Sequence, residues 1–554
     1  MDYDIIDIKS MTLREKLGQL LIVRQSDLMM KAKTGYTQMR EPEEAAEIME
    51  KNQFGGVWLH GQVDVNQMNE EFNRENIRFN SKSSMEWIEN VSKGVKIPVI
   101  SANDAQGVKS YSDLSGYPVG LCVGATGDGE MAYRLGRCIA AEHALAGVHW
   151  IWSPVADYVN RRSANITRQF SNTPDEIIKY AVGYMKGLQS MGLAATVKHF
   201  PGTDKMEMRD SHIVTTKMNM TMDEWHNEQG RIFKAVIDAG VDTVMSAGRA
   251  FPAADPAKVG GRHLPCGLSR AMITNLLKGE MGFDGVVVTD DVTMGCFTSF
   301  YTGGELYAEF LKAGNDMLLG VGIDAVELLE EQVQNGNLPM QRVDDAAAKV
   351  LSLKKKLGLF GVRKEPEYTV DEACEQTRKM AYDMALKSAT LLRDRNNFLP
   401  VNKNKIKKVA IICYSHTSRT LEQLQAMKEE FEEHGAQVLL RKSLESFDEI
   451  KEIAAEHDLI VYAAYVGFHA PKGAPGFYGD EFWALRYAFT EGCEKSVGVS
   501  LGYPHIHFDF MDDANVFVNL YSPDEQGQRV FVKGLYGELP FIGTSPIKLD
   551  GMEG

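Results

Sequence analysis

Cysteine is scarce in this sequence, and its pattern excludes two classes of protein. The 554 residues contain 7 cysteines, an odd number, and no two of them stand at Cys-x-x-Cys spacing. A small disulfide-stapled secreted domain would have paired, closely spaced cysteines, and a cysteine-rich zinc site would have them in short repeats. We therefore expect reduced thiols and a reducing compartment.

Long apolar runs and a leader segment are also missing. No uninterrupted apolar stretch approaches the roughly 20 residues that a membrane helix needs. The N-terminal stretch MDYDIIDIKSMTLREKLGQLLIV has no basic segment followed by an apolar stretch and a small-residue cleavage site. The sequence therefore predicts a cytoplasmic protein with no membrane partner.

Positive charge is in deficit over the whole chain. The formal net charge is -16, while 44% of the residues are hydrophobic and 25% are charged, as in ordinary globular proteins. Because phosphate contacts need clustered Lys and Arg, this balance argues against a nucleic-acid partner. We expect a small or neutral ligand.

Motifs for metals and nucleotides are absent as well. The histidines His60, His199, His212 and His263 lie far apart, without the HExxH or CxxC spacing of metal sites. The stretch VGATGDGE is rich in glycine but has no phosphate-loop lysine, and the GxSxG signature of esterases does not occur. No metal or other cofactor is therefore expected.

Short β-branched runs alternate with longer stretches of helical period from about residue 50 to residue 320. This alternation predicts repeated βα units around a parallel sheet. Seven runs, with an eighth to complete the repeat, indicate an N-terminal (β/α)8 TIM-like barrel. The seven runs are GGVWLH (55–60), KIPVISAND (96–104), VHWIWSPVAD (148–157), LAATVKHF (193–200), VDTVMSAG (241–248), GVVVTDD (285–291) and DMLLG (316–320).

A second series of apolar runs starts near residue 406. Its runs, such as KKVAIICYS and DLIVYAAYV, are separated by helical segments such as LEQLQAMKEEFEEHG. This pattern predicts a second, smaller α/β domain. We expect a barrel domain at 1–370, a helix and extended interdomain linker at 371–405, and a C-terminal α/β sandwich domain at 406–554.

Polar residues follow the predicted barrel strands at their carboxyl ends, where the active sites of such barrels gather. Asp290 and Asp291 end one strand; because neighbouring side chains point to opposite faces, at most one can enter the barrel, while the other can cap the next helix. The alternative is that both carboxylates cap that helix. Asp104 can hold sugar hydroxyls or cap a helix. One of Arg161, Arg162 and Arg168 can join a clamp for a hydroxyl or carboxylate, although each alone also fits a surface position.

The stretch KHFPGTDKMEMRDSH, residues 198–212, gathers titratable side chains directly after an apolar strand. Only Ser211 separates Asp210 from His212, so carboxylate and imidazole can share one turn. Such a pair fits a general acid/base with its orienting partner. The alternative is a solvated charged loop.

Several of these stretches occur in the order seen in glycoside hydrolase family 3, which the sequence resembles over nearly its whole length. MTLREKLGQLLIV resembles the start of that family, LLRDRNNFLPV its interdomain linker, and the last 50 or so residues its C-terminal sandwich. The matching motifs are VGATGD (123–128), SPVAD (153–157), NITRQFS (165–171), KHFPG (198–202), DSH (210–212) and GFDGVVVTDD (282–291).

The DSH element resembles the β-N-acetylglucosaminidase branch of the family, in which an Asp-His dyad on a loop replaces a carboxylic acid/base. The resemblance implies that Asp290 is the nucleophile, that His212 is the general acid/base and that Asp210 orients His212. It also implies that the terminal sugar is held by Asp104, Arg168, Lys198 and His199.

The resemblance thus implies a metal-independent, retaining exo-β-N-acetylhexosaminidase acting on a small amino-sugar glycoside such as a cell-wall fragment. Three positions depart from the residues usual in that branch: Thr203, the stretch NDAQG, and Gly248, where a histidine is common. These departures leave open a β-glycosidase of another sugar specificity. A phosphorolytic variant and a sugar-binding pseudoenzyme are further alternatives, and the sequence does not indicate an oligomeric state.

Overall fold

The fold is that of a computed structural model of the chain. None of the helices in its described residues is long and apolar enough to cross a bilayer. The described residues are 7–33, 36–68, 72–105, 110–159, 167–207, 209–361, 366–415, 420–467, 476–477, 479–506 and 514–549.

The chain divides into two compact units, each discontinuous in sequence. The domain ranges 1–370, 371–405 and 406–554 remain a prediction from the sequence, because each of them is continuous. The first unit comprises Met1–Ser115, Tyr133–Asp157 and Ala181–Glu375, and the second comprises Gly116–Ala132, Tyr158–Tyr180 and Gln376–Gly554.

Eight parallel strands close into a barrel in the first unit, which confirms the predicted (β/α)8 architecture. Each strand pairs with the next one along the chain, and the eighth pairs with the first. The strands are β1 (Leu21–Arg24), β2 (Gly56–Trp58), β3 (Ile100–Asn103), β4 (Trp150–Ile151), β5 (Ala194–Phe200), β6 (Thr243–Ser246), β7 (Val286–Asp291) and β8 (Met317–Val321).

The seven apolar runs correspond to β2–β8, so β1 is the barrel strand that they did not predict. It follows the short helix Leu13–Gln19. A capping box begins this helix: the Thr12 side chain accepts a hydrogen bond from the Glu15 backbone N–H, and the Glu15 carboxylate accepts one from the Thr12 N–H. The apolar residues that follow are buried and pair with β2 and β8. The strand that completes the predicted set of eight is therefore the first one in the sequence, β1.

Helices lie between the barrel strands along the chain. The stretch Ala271–Glu280 has the hydrogen bonding of a π-helix, which apolar spacing does not distinguish from an α-helix. The helix Gly303–Ala313 ends at Gly314, whose φ of +119° favours glycine. The other helices up to residue 388 are Gln25–Met29, Pro42–Asn52, Ser81–Val91, Gly120–Thr126, Gly129–Leu145, Pro174–Ser190, Met222–Asn227, Gln229–Asp238, Gly295–Thr298, Ala325–Gln334, Met340–Lys356 and Val370–Ser388.

Small two-stranded sheets lie outside the barrel. Two are antiparallel hairpins from the first eighty residues, a third is a parallel pair after β5, and the fourth is a short hairpin after β6. In that order they pair Met30–Lys33 with Tyr36–Met39, Gln62–Met68 with Phe72–Arg78, Thr216–Lys217 with Arg249–Ala250, and Lys258–Val259 with Arg262–His263.

Six strands form one mixed sheet in the second unit, in the order β9-β14-β13-β12-β10-β11. All neighbours are parallel except β9, which runs antiparallel to β14. The segment predicted as an extended linker therefore contains a strand of this sheet. The strands are β9 (Thr390–Asp394), β10 (Lys408–Ser415), β11 (Gln437–Lys442), β12 (Leu459–Tyr465), β13 (Ser496–Ser500) and β14 (Val516–Asn519).

Helices cover both faces of this sheet, which confirms the predicted α/β sandwich. On one face, Ile411 of β10 belongs to an apolar cluster with residues of the helices Gln425–Glu433 and Glu525–Leu535. On the other face, the Tyr414 hydroxyl donates to the carbonyl of Ala484 at 3.3 Å. The remaining helices of this part are Thr420–Gln423, Phe447–Glu456 and Asp480–Leu485.

Candidate active site

The carboxyl ends of the barrel strands, which we call the barrel rim, carry four of the predicted site residues. Lys198 and His199 lie near the end of β5, Asp290 near the end of β7, and Asp104 directly after β3. The carboxyl ends of parallel barrel strands meet at one face. The closed barrel therefore brings these four residues to the same face.

An ion pair joins Lys198 to Asp104 across this face. The Lys198 side chain is 2% exposed, whereas the Asp104 side chain is 37% exposed. A buried ammonium group needs a compensating charge, which Asp104 supplies while keeping part of its surface in contact with solvent. The pair offers hydrogen-bond donors and acceptors side by side, as recognition of sugar hydroxyls requires.

A fully buried carboxylate, that of Asp157, orients His199. It accepts hydrogen bonds from His199 Nδ1 at 2.8 Å and from Arg249 Nη1 at 2.9 Å. Burial alone would raise the pKa of Asp157, but the charge of Arg249 and the hydrogen bonds from Arg249 and His199 hold that pKa far below its usual range. Burial lowers the pKa of His199, although Asp157 opposes this effect. When the neutral ring donates its Nδ1–H to the Asp157 carboxylate, Nε2 is left as an acceptor.

Asp210 and His212 are hydrogen-bonded to each other. His212 Nδ1 lies 2.6 Å from Asp210 Oδ1, which also accepts the His212 backbone N–H at 2.9 Å. Burial favours the neutral carboxyl, but the hydrogen bonds from the ring and backbone of His212 lower the pKa of Asp210. Because the carboxylate accepts from Nδ1, Nε2 is the nitrogen that can exchange a proton with a bound molecule.

The loop that carries this dyad is hydrogen-bonded to the segment after β7. The backbone N–H of Gly295 donates to the His212 carbonyl at 2.8 Å. A β-carbon on Gly295 would lie 2.3 Å from the carbonyl oxygen of Ile213, so this close approach requires glycine. The dyad is therefore attached to the chain segment that follows Asp290.

Asp290 and Asp291 have different partners, as the alternation of side chains along a strand predicts. Asp291 forms an ion pair with Arg24, whose Nη2 lies 2.6 Å from each carboxylate oxygen. Asp290 is half-buried; its Oδ1 accepts the backbone N–H of Asp291 at 2.9 Å, and it makes no ion pair with any described residue. In the described structure the next helix, Gly295–Thr298, has no side-chain cap, so the alternative in which both carboxylates cap it is wrong.

A family model decides the relationship of this chain to known proteins. The model described as the glycosyl hydrolase family 3 N terminal domain matches residues 12–353, which is more than half of the chain. The chain belongs to glycosyl hydrolase family 3. The resemblance inferred from the motifs is thereby confirmed.

Family 3 relatives carry several names. A β-N-acetylglucosaminidase/β-glucosidase of Cellulomonas fimi is 24% identical over 482 residues, 81% of this chain and 84% of that protein. A β-hexosaminidase of Stenotrophomonas maltophilia (strain K279a) is 33% identical over 211 residues, 38% of this chain and 60% of that protein. Among solved structures, that of the β-glucoside phosphorylase BglX bound to 2FGlc is 25% identical with a TM-score of 0.82, covering 99% of this chain and 98% of that one. This chain is thus a family 3 glycoside hydrolase, and the names of its relatives point to carbohydrate substrates.

Some residues of this family 3 barrel rim were not predicted from the sequence. Arg249 follows β6 and neutralises Asp157, while Arg24 ends β1 and binds Asp291. The Trp58 ring lies 5.2 Å from the Trp152 ring, measured between centroids. The signal that could have found them is position, since each lies at or just after the carboxyl end of a barrel strand.

Gly248, where the family pattern often has a histidine, faces a cysteine in this protein. A β-carbon at position 248 would lie 2.1 Å from Cys296 Sγ. Cys296 is fully buried, and burial raises the pKa of its thiol. The space beside Gly248 is therefore occupied by the side chain of Cys296.

The predicted arginines of the site do not belong to the described part of the barrel unit. Arg168 is buried and belongs to the second unit, and its predicted role in holding the sugar stays a prediction. Arg161, Arg162 and part of the stretch NDAQG lie outside the described residues.

The chemistry available at the barrel rim follows from its side chains. In the part of the chain that the structure describes, no group of three or more His, Cys, Asp and Glu side chains is placed to hold a metal ion. The predicted barrel residues instead provide carboxylates, imidazoles and an ammonium group. Such groups can bind hydroxyls, transfer protons and attack an electrophilic carbon.

Proposed function

We propose that this family 3 glycoside hydrolase is a retaining exo-β-N-acetylhexosaminidase that removes terminal β-linked N-acetylglucosamine. In this proposal Asp290 is the nucleophile, His212 is the general acid/base, and Asp210 orients His212. The observation that carries the proposal is the hydrogen-bonded Asp210–His212 pair, on a loop bonded to the segment after Asp290.

The reaction proceeds in two displacements at the anomeric carbon. In the first, the Asp290 carboxylate forms a bond to that carbon while His212 Nε2 gives its proton to the leaving oxygen, which departs as an alcohol. In the second, Nε2 takes a proton from water as the water oxygen attacks the same carbon and Asp290 leaves as a carboxylate. Two inversions retain the β configuration.

An imidazole suits the acid/base role. Its ordinary pKa of about 6.5 populates both protonation states near neutral pH. Asp210 accepts the Nδ1 proton and stabilises the imidazolium that forms when Nε2 is protonated. The lowered pKa of Asp210 keeps its carboxylate charged for this purpose.

The terminal sugar is proposed to be held by Asp104, Lys198 and His199, with Arg168 as a further predicted ligand. The Lys198–Asp104 pair offers donors and acceptors to hydroxyl groups, and Asp157 fixes the orientation of the His199 ring. Two relatives named as N-acetylglucosaminidase or hexosaminidase support the amino-sugar assignment.

Covalent trapping tests the nucleophile. A 5-fluoro N-acetylglucosaminyl substrate should label the peptide VVVTDDVTMG at Asp290, as mass-spectrometric fragmentation would show. An Asp291→Asn variant is the matched control and should still be labelled. A label on Asp291, or on no residue of this peptide, would contradict the proposal.

Substrate preference tests the sugar. If the site is built for the acetamido group, a glucoside leaves its pocket unfilled, at a loss of about 1–3 kcal/mol, or roughly 5- to 150-fold in kcat/KM. We expect aryl N-acetylglucosaminides to exceed aryl glucosides by this factor. Equal values would favour the β-glycosidase of another specificity, and the absence of turnover across a panel of aryl glycosides would favour the pseudoenzyme.

Phosphorolysis is a second candidate, favoured by the nature of the acid/base. A neutral imidazole does not repel an incoming phosphate as a carboxylate would, and a similar solved structure is that of a β-glucoside phosphorylase. Turnover in phosphate buffer, followed by ³¹P NMR, separates the candidates. A sugar 1-phosphate product would replace hydrolysis by phosphorolysis in the proposal, and free sugar alone would exclude it.

A further inference from the structure

Arg24 binds several polar side chains at the barrel rim. Its Nη2 donates to both carboxylate oxygens of Asp291 at 2.6 Å and to Thr293 Oγ1 at 3.0 Å, while Nη1 donates to Asp27 at 3.1 Å. The guanidinium carbon lies 5.9 Å from the centroid of the Trp58 ring. With its side chain only 17% exposed, Arg24 is held in one orientation by contacts on several sides.

The barrel leaves room for this ion pair. Arg24 ends β1 and Asp291 ends β7, and the strand between them is β8. A β-carbon on Gly320 of β8 would lie 2.7 Å from Arg24 Nη2 and 2.9 Å from Asp291 Oδ1. The two side chains therefore meet over a glycine, and any side chain at that position would collide with the pair.

Asp291 is in turn bonded to the neighbouring carboxylate. Its backbone N–H donates to Asp290 Oδ1 at 2.9 Å. Its own Oδ1 accepts the backbone N–H of Thr293 at 2.9 Å and the Thr293 hydroxyl at 2.6 Å. Arg24 thus holds the Asp291 side chain, and the backbone N–H of the same residue orients the Asp290 carboxylate.

The charges of Arg24 and Asp291 also act on Asp290. Two ionised carboxylates on adjacent residues disfavour each other's charged form, and Arg24 supplies the positive charge that balances Asp291. Among the described residues, the Asp290 charge acts on His199 at the end of β5 and on the thiol of Cys296, and the charges of Arg24 and Asp291 act on His60. Burial favours the uncharged form of all three, so none of them replaces Arg24 as a counter-charge.

We propose that Arg24 is a positioning residue for the nucleophile: by holding Asp291 and balancing its charge, it fixes the orientation of the Asp290 carboxylate. The proposal rests on the proposed role of Asp290 as nucleophile. Arg24 acts through Asp291 and has no contact with the substrate in this scheme.

The pH profile of kcat/KM on an aryl N-acetylglucosaminide tests this role. Arg24→Met should move the acidic limb of the profile to higher pH by about one unit, which is about a tenfold loss at low pH beyond any loss at the plateau. Arg24→Lys should restore most of the shift because it keeps the charge. The double variant Arg24→Met/Asp291→Asn should move the limb back, since it removes both charges together.

Arg14→Met is the matched control, because Arg14 makes an ion pair with Glu330 on the same barrel. Its acidic limb should stay where it is in the wild type. A uniform loss in Arg24→Met at every pH, without displacement of the limb and without rescue by lysine, would show that Arg24 only supports the fold.

A measurement without turnover keeps this proposal separate from the proposed function. With ¹³C-labelled aspartate, the carboxyl signal that disappears in Asp290→Asn can be titrated in wild type and in Arg24→Met. The signal should titrate at higher pH in Arg24→Met, and an unchanged titration would overturn the proposal. Failure of the proposed function would appear instead as no turnover of aryl glycosides and no label on Asp290.

Discussion

Lys354 is a buried amine without a counter-charge, and it yields a prediction about stability. Its side chain is fully buried on the helix Met340–Lys356. Its Nζ donates to Gln19 Oε1 at 2.6 Å, and it makes no ion pair with any residue in the described ranges. Burial lowers the pKa of Lys354 from 10.5 to about 7. We predict that Lys354→Met stabilises the barrel near neutral pH.

The magnitude follows from this displaced pKa. Between pH 7 and 10.5 the unfolded chain keeps the proton that the folded chain has lost, so wild-type stability rises with pH by about 1.4 kcal/mol per unit. Below about pH 7 the full penalty is about 5 kcal/mol. The hydrogen bond to Gln19 offsets about 1 kcal/mol of it. The variant should therefore be about 4 kcal/mol more stable at low pH, and the difference should vanish near the ordinary pKa of lysine.

Urea unfolding at several pH values between about 6.5 and 10 measures this difference. Tryptophan fluorescence reports on the barrel unit, because five of the 6 tryptophans belong to it. Lys349→Met is the matched control: Lys349 lies on the same helix, but its amine binds Asp284 at the surface. The control should show no pH-dependent difference from the wild type. The reasoning would be refuted if the difference in the free energy of unfolding between Lys354→Met and the wild type did not change with pH. It would also be refuted if the variant were less stable than the wild type at neutral pH.

Further predictions concern the dyad loop and the buried Asp157 network. His212→Ala should lose roughly 10²–10⁴-fold in kcat/KM on glycosides with poor leaving groups and much less on dinitrophenyl glycosides; a uniform loss across aryl leaving groups of rising pKa would contradict the acid role. Gly295→Ala should displace the dyad loop and reproduce this leaving-group dependence while Asp290 can still be labelled, and unchanged kinetics would show that the loop tolerates the β-carbon. Asp157→Asn leaves the buried guanidinium of Arg249 without its counter-charge and should destabilise the barrel by about 3–5 kcal/mol in urea unfolding, whereas a change below about 1 kcal/mol would show that the pair adds little.

Local patterns in the sequence predicted the features that depend on neighbouring residues. Alternating apolar runs predicted seven of the eight barrel strands and five of the six strands in the sheet of the second unit, because burial on both faces of a parallel strand leaves a continuous apolar run. The contact between Asp210 and His212 was predictable because one residue separates them. The different partners of Asp290 and Asp291 followed from the alternation of side chains along a strand.

Features that depend on distant residues were not predictable in this way. Arg24 and Asp291 are 267 residues apart, and Arg249 and Asp157 are 92 residues apart. A charged residue after a strand has the same local sequence whether it faces solvent or a buried partner. Pairing of β1 with β8 brings Arg24 close to Asp291, and the strand order β4-β5-β6 brings Asp157 close to Arg249.

The glycines at the barrel rim show why a departure from a family pattern needs its spatial neighbours for interpretation. Gly248 alone reads as a missing side chain in the sugar site. In the structure, Cys296 Sγ occupies the place that a β-carbon at position 248 would approach. Gly248 and Cys296 are therefore one packing unit, and a larger residue at 248 would fit only with a smaller one at 296. Gly320 has the same relation to the Arg24–Asp291 pair, so its lack of a side chain is what permits an ion pair between strands that are not adjacent.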